Sequence, residues 1–468
     1  MVKKPIALIW CAIVLISGTA AAAPRTLRLD YYHTGTASEE VFSFDRLVLE
    51  PLPWPGNPRK PIDGTNLGKY FFEVVEPGSG RVLYSRGFAS VYGEWETTDE
   101  AKTLRRTFSE SLRFPLPDAK VEVVLKKRDA ANAFREVWRV GVDPKDRFIV
   151  TAAPPSPGPL IEIQKSGDPA DKVDFLILGD GYTAAERGKF EKDARRLADL
   201  LFAVSPFKER RSDFNVWALC PPADVSGISR PSIGAHRSSR VGATYDAFGV
   251  ERYVLTFENR SFREVASFAP YEFVEILTNS RTYGGGGIFG QYSTVAADSL
   301  WAPYIFVHEF GHHFAALADE YYTSPVAYAP AGENRVEPWE PNATALLDPQ
   351  NLKWKDLVTA GTPLPTPWKK EEFEKASREA QARRSKIRAE NRPEDEMDAL
   401  FREEQAFETR LLGTDANSGK VGAFEGALYE ARGYYRPQED CIMFTRDEVP
   451  FCAVCRRAIS GVVDLYSR

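Results

Sequence analysis

The chain has 468 residues, 43% of them apolar and 12% aromatic, which excludes a disordered or fibrous protein and leaves room for two or three domains. Its formal net charge of −6 offers no basic face for a nucleic-acid partner.

Residues 1–23 read as a signal peptide. Lys3 and Lys4 give a positive start, residues 5–17 are almost entirely apolar, and Ala20 to Ala23 supply the small residues of a cleavage site. The apolar run is too short for a comfortable membrane span, so cleavage is favoured over an uncleaved anchor. No later segment is long and apolar enough to cross a bilayer. The expectation is an exported protein, secreted, periplasmic or at the cell surface, with no membrane span once the signal is removed. Cys11 leaves with the signal. Cys220, Cys441, Cys452 and Cys455 remain, and an even number in an exported chain predicts disulfides first. A zinc site built from all four thiolates suits that compartment less well.

Residues 24–150 predict an all-β sandwich used as an accessory domain. Short alternating stretches recur at 26–30, 70–75, 82–88, 120–125 and 136–140, separated by turn residues such as Pro77-Gly78-Ser79-Gly80. The run TAAPPSPGP at 151–159 is a stiff, proline-rich linker. From 160 to 468 the pattern becomes α/β. Strands are expected at 173–178, 214–219 and 273–277, and a helix at 184–203. A glycine run, Gly284 to Gly287, precedes a further helix. Residues 368–412 are rich in Glu, Lys, Arg and Ala with one break at Pro393, and predict a solvated helical pair inserted on the surface rather than a lid over a cleft.

Gly179-Asp180-Gly181-Tyr182-Thr183-Ala184 fits a dinucleotide fingerprint between a strand and a helix. No acid is placed for a ribose after the second strand, which ends at Leu219-Cys220-Pro221, and an exported protein has no nicotinamide supply. A strand-to-helix turn wants glycine on steric grounds alone. A nicotinamide-dependent oxidoreductase is accordingly the weakest functional reading.

Of the five histidines, three fall in the run His308-Glu309-Phe310-Gly311-His312-His313. Positions four apart stack on one face of a helix, so His308 and His312 can present two imidazoles to one ion. Neutral imidazole suits zinc, and Glu309 stands where it can take a proton from a water that the ion activates. Phe306, Phe310, Phe314 and Leu317 recur at helical spacing and predict a core-facing side. The rival account is a plain core helix with two histidines on its wet face. His313 points away from the pair and is expected to be structural. A catalytic zinc wants a third protein ligand and an open fourth place. Asp319 would sit about 10 Å further along a continued helix, so the helix must end or bend for it to ligate. Glu320 and Glu333 are the alternatives. Asn342-Ala343-Thr344 is a glycosylation sequon.

The run HEFGHHFAALADEYY, residues 308–322, resembles the bacterial IgA-peptidase family of metallopeptidases, the igalysins of the metzincin group. LILGDGYTAAERGKF near the start of the second domain, VGAFEGALYEARGYYRP at 421–437 and CIMFTRDEVPFCAVC at 441–455 resemble further signatures of that family, as does the β-rich front domain. The resemblance implies a metzincin-like catalytic domain in which His308, His312 and Asp319 bind Zn2+, Glu309 is the general base and Met443 forms an apolar floor beneath the metal. It also implies that the edge near Gly284–Phe289 borders the cleft and can pair with an extended substrate backbone. Three departures stand out. Ala315 replaces the usual glycine after the second histidine, and the third ligand comes one position late. Thr445 stands where many metzincins carry a tyrosine, leaving Tyr434 or Tyr435 as substitutes. The leading expectation is thus a secreted zinc endopeptidase acting on proteins or peptides. The alternative is a binding or adhesion protein whose metal domain is inert.

Overall fold

The computed structural model describes residues 24–324, 326 and 335–468. The signal segment read at 1–23, and Glu333, fall outside the described residues.

The first domain is built from alternation. Two antiparallel sheets enclose one core. The first has the order β2 (Glu40–Pro53), β1 (Arg25–Gly35), β5 (Arg106–Pro115), and the second β4 (Val82–Phe88), β3 (Tyr70–Val75), β6 (Val121–Arg128), β7 (Phe134–Val142). Leu27, Leu29 and Phe114 from one sheet meet Phe72, Val123 and Leu125 from the other. The sequence pattern missed β2 and β5. Both carry charges at positions that alternation alone assigns to solvent, but the second domain covers part of that face. Arg28 is buried against Asp30 and Glu50, and Arg113 reaches past Glu50 to the carbonyl of Tyr271 at 2.8 Å. The domain also contains a helix that was not expected, α1 (Val91–Trp95), capped by Ser90.

The second domain is laid over a six-stranded sheet. β8 (Ile161–Gln164), β9 (Val173–Asp180), the helix α2 (Arg187–Leu201) and β10 (Phe214–Leu219) come first in the chain. A short ladder of β11 (Ala243–Thr244) and β12 (Leu255–Thr256), the helix α3 (Asn259–Ala266), β13 (Phe273–Thr278), β14 (Gly285–Ile288) and β15 (Tyr292–Ala296) follow. The sheet order is β14-β15-β13-β9-β10-β8, parallel through its four central strands and antiparallel at both edges. The central strands are buried along their whole length, as strands covered on both faces are. The helix α4 (Ala302–Ala315) lies across β14 and β15, beside α2. Gly181, at a φ of +74°, turns the chain from β9 toward α2, and a side chain there would strike Gly227 at 2.6 Å, which accounts for the fingerprint-like glycines by sterics.

The charged stretch forms two helices, α5 (Lys370–Ala389) and α6 (Glu394–Gly413), broken at Pro393. They are not solvated all round. Phe401 is buried with its ring 5.0 Å from that of Tyr283 and 5.9 Å from that of Trp301. Arg384 pairs with Glu251, and Glu404 with Arg446. The buried face of each helix was hidden from pattern reading because its buried charges meet partners far away in sequence. The chain closes with the hairpin β16 (Phe424–Ala427) and β17 (Glu430–Arg436) and the helix α7 (Ala453–Tyr466), which packs on α4. The expected disulfides are not formed. Cys220 stands apart near Gly179, and Cys441, Cys452 and Cys455 are buried together as free thiols.

If α5 and α6 are held to the domain by that aromatic contact, Phe401→Ala should lower stability by about 3–5 kcal/mol. The check is a denaturant melt, with limited proteolysis expected to cut first within residues 370–413.

Candidate active site

Pro303 starts α4 in its first turn, and the core fixes how the helix is rolled. The ring of Phe310 lies 4.6 Å from that of Phe175, and Phe314 lies 4.4 Å from Phe273. With that face committed to the interior, His308 and His312 turn toward a cleft. His313 points the other way. Its Nδ1–H donates to the Ile288 carbonyl at 3.1 Å, and its Nε2 accepts from the Val274 N–H at 3.0 Å, so it staples the helix to the sheet. Burial drives its pKa down to about 3, which keeps the ring neutral for that task.

The helix stops at Ala315. Ala316 adopts a left-handed conformation, φ +55° and ψ +32°. Its N–H bonds to the His312 carbonyl at 3.0 Å, and the Leu317 N–H reaches back to the Gly311 carbonyl at 3.4 Å. This is a helix-ending turn of the kind glycine usually occupies. It falls one residue later than in the metzincin pattern, and Asp319 is late by the same residue. Turn and carboxylate have moved together, so the carboxylate still folds back onto the histidines.

The result is a tight triangle. Asp319 Oδ1 lies 3.1 Å from His308 Nε2 and 3.2 Å from His312 Nε2, and the two nitrogens are 3.1 Å apart. Ligands at zinc distances on a tetrahedron are separated by about 3.4 Å, so the donor set fits such an ion. The tautomers fit too. His308 Nδ1 faces the Ile442 carbonyl at 2.9 Å, and His312 Nδ1 faces the Leu317 carbonyl, so each Nδ1–H is spent on backbone and each Nε2 lone pair turns inward. Burial works against charge on His312 and Asp319. Attraction between His312 and Asp319 overrides it, holding the imidazole up at about 9 and the carboxyl well below its ordinary range. Glu309 stands beside the pair. Burial pushes its carboxyl up, against the pull of His308, His312 and Arg252.

Glu320, the neighbouring alternative, turns away from the triangle. Its carboxylate takes a hydrogen bond from Asn342 at 2.9 Å and lies among the buried cysteines. Asn342 is itself fully buried and clasps the Ala318 backbone through both its amide atoms, so the sequon marks a structural residue. Beneath the site, Met443 is fully buried. Its sulfur lies 3.2 Å from where a side chain on Gly311 would begin, and its carbonyl accepts from the Glu320 N–H at 2.9 Å.

The cleft has a volume of about 850 Å³ and is lined by Glu309, His312 and Asp319. β14 borders it as the edge strand of the sheet. The glycines are needed because α4 passes so close: a side chain on Gly287 would sit 2.4 Å from the Glu309 carbonyl oxygen, and one on Gly285 2.6 Å from Ile305. Gly285 exchanges backbone bonds with Arg252 and Val254, and the Phe289 carbonyl accepts from Ala89 of the first domain, while Gly287 between them faces the cleft. The opposite wall was not foreseen. Lys69, Glu94, Arg128 and Asn132 of the first domain line the same cleft. No residue of α5 or α6 lines it.

Two further residues escaped the sequence reading. The Tyr429 hydroxyl donates to Asp319 Oδ2 from the β16–β17 turn, where Leu428 and Tyr429 both hold positive φ, at +53° and +65°. Arg252 reaches Tyr321 Oη at 3.1 Å across the cleft floor. Tyr434 also lines the cleft, but its ring packs under Arg335, and Tyr435 pairs its backbone with Thr344. Of these tyrosines, Tyr429 is the one bonded to the triangle.

Two family models match the chain. A family model described as IgA Peptidase M64 matches residues 161–463, and one described as Peptidase M64 N-terminus matches residues 19–139. No curated protein matches the chain.

The left-handed Ala316 is strained for a residue with a side chain, so Ala316→Gly should stabilise the protein by about 1 kcal/mol. Ala316→Val should destabilise it and weaken metal retention by displacing Asp319. Thermal melts with and without chelator would measure both.

Proposed function

The chain belongs to the IgA peptidase M64 family, which makes it a peptidase of proteins or peptides, and we propose that it is an exported zinc endopeptidase of metzincin type. The observation that carries this reading is the triangle of His308 Nε2, His312 Nε2 and Asp319 Oδ1 with Glu309 alongside, opening on a cleft. His308, His312 and Asp319 would hold the ion. Zinc, when bound, polarises a scissile carbonyl and makes water more acidic. The chain's own groups do the rest. A peptide lies extended along β14 and pairs with the outward backbone of Gly287, with the first domain's Lys69 and Arg128 on its other side. Glu309 takes a proton from the attacking water and passes it to the leaving amine; its buried setting, which raises its pKa, suits it to both steps. Tyr429 keeps Asp319 aimed at the imidazoles. Ile442 and Leu317 hold the imidazoles in the tautomer that leaves Nε2 free.

The domain limits we assign are 24–150 for a sandwich, 151–159 for the linker and 160–468 for the catalytic domain. Export rests on the leader-like residues 1–23 of the sequence. Among the described residues no helix is long and apolar enough to cross a membrane.

Glu309→Ala should lower casein hydrolysis by about a hundredfold to ten-thousandfold while the protein keeps its zinc. Activity at the level of the parent protein would end the mechanism. Tyr429→Phe, which removes the hydroxyl that donates to Asp319, should weaken zinc affinity or activity by about tenfold.

A further inference from the structure

Behind the segment that carries Asp319 lies a second group of ligating side chains, which the peptidase reading does not use. Glu320, Cys441, Cys452 and Cys455 are all buried, and their ligating atoms lie within 4.8 Å of one another. Cys441 Sγ is 3.9 Å from Cys455 Sγ, and Cys455 Sγ is 3.5 Å from Glu320 Oε1. Around a tetrahedral zinc, two thiolate sulfurs stand about 3.8 Å apart, and a sulfur and a carboxylate oxygen about 3.6 Å. The spacings in the protein match both.

Backbone N–H groups at the start of α7 point at two of the sulfurs. Cys452 caps the N-terminus of α7, and Cys455 lies in its first turn, where the helix dipole stabilises negative charge. The Cys452 N–H points at Cys441 Sγ at 3.2 Å, and the Cys455 N–H at Cys452 Sγ at 3.4 Å. On Glu320, Oε1 is served by Asn342, whereas Oε2 is buried with no hydrogen-bond partner. A carboxylate in that position is costly unless a cation answers it. The nearby Arg436 does not, since its N–H groups are directed to the carbonyls of Glu425, Gly426 and Glu439. A disulfide between Cys441 and Cys455 would leave both Cys452 and Glu320 without a role.

We propose that Cys441, Cys452, Cys455 and Glu320 form a second, structural zinc site, closed by four protein ligands and separate from the ion held by His308, His312 and Asp319. Cys452 and Cys455 have the spacing of two residues between ligands that such sites use. Binding releases the thiol protons and ties three segments together: the stretch after α4, the turn under the active site, and the C-terminal helix. Its consequence for catalysis is positional. Glu320 neighbours Asp319, and Cys441 neighbours Ile442 and Met443, whose carbonyls bond to His308 and to the Glu320 N–H. The second ion would thus hold the frame of the first.

The test is metal analysis of the full chain as purified without reductant or chelator. Zinc should be bound at about two ions per chain, falling to about one in Cys455→Ser and, independently, to about one in His312→Ala. Cobalt substitution gives a second readout, which also serves if the cysteine variant fails to fold. A thiolate-to-cobalt charge-transfer band should appear in the parent protein and persist in His312→Ala. Absence of that band, or a Cys441–Cys455 disulfide found by unreduced peptide mapping, would overturn the proposal. A band with no ion at the histidines would overturn the peptidase reading instead.

Discussion

On a continuing helix, a carboxylate seven residues past the second histidine would stand about 10 Å up the axis from it. Asp319 instead lies 3.1 and 3.2 Å from the two imidazole nitrogens, because α4 ends at Ala315 and the chain reverses through the left-handed Ala316. Each later feature of the site depends on that reversal. It exposes the Leu317 carbonyl to His312 and sends the next residues back beneath the helix. There the Glu320 N–H finds the carbonyl of Met443. An L-residue pays about 1–2 kcal/mol to sit in this conformation. Here the strain is borne because both ends of the turn are fixed, one by the aromatic core under Phe310 and Phe314, the other by the clasp of Asn342 on Ala318.

The frame around this turn is assembled from distant parts of the chain. The sheet supplies a flat edge at β14, glycine-rich so that α4 can approach. The turn at 441–445 supplies a carbonyl for His308 and an apolar floor. The β16–β17 hairpin supplies Tyr429 through a two-residue turn whose positive φ angles are carried by Leu428 and Tyr429, residues that seldom accept them. That hairpin is held by backbone bonds from Leu428 to Asp319 and from Tyr429 to Tyr321, so the strain sits where the carboxylate is aimed. The first domain then closes the cleft from the other side, joined to β14 by the bond from Ala89 to Phe289.

What could be read in the sequence was local. A helix with two histidines four apart, an acid between them and phenylalanines on the far face is encoded within a dozen residues, and the structure shows that helix rolled as the pattern requires. The strands at 70–75, 82–88 and 214–219 appear with those limits, because alternation or continuous apolarity marked them. The failures are non-local. β2 and β5 look too charged until Arg28, Glu50 and Arg113 are seen to pair against the second domain. The buried face of α5 and α6 is masked by arginines and glutamates whose partners, Glu251 and Arg446, lie far off in the chain. Tyr429 gives no signal at all, since its role follows from how a hairpin docks. The cysteines misled for a related reason: their number suggested disulfides, but number says nothing of Glu320, which the fold brings among three of them.

Asp319 and Glu320 show how adjacent acids acquire different surroundings. Along residues 319–321 the backbone bonds alternate: the Asp319 and Tyr321 carbonyls accept from the hairpin, whereas the Glu320 N–H donates to Met443 on the other side. Neighbouring side chains therefore face opposite ways, one toward the imidazoles and the cleft, the next toward the thiols at the start of α7. A slip of one residue would put Ala318 or Glu320 at the histidines and, correspondingly, Asp319 or Tyr321 among the cysteines, each wrong for its place. Placing the left-handed turn at Ala316 rather than Ala315 sets that register. It is why an acid one position later than the metzincin pattern is still the one that reaches the histidines, and why the acid after it is left buried, facing sulfur.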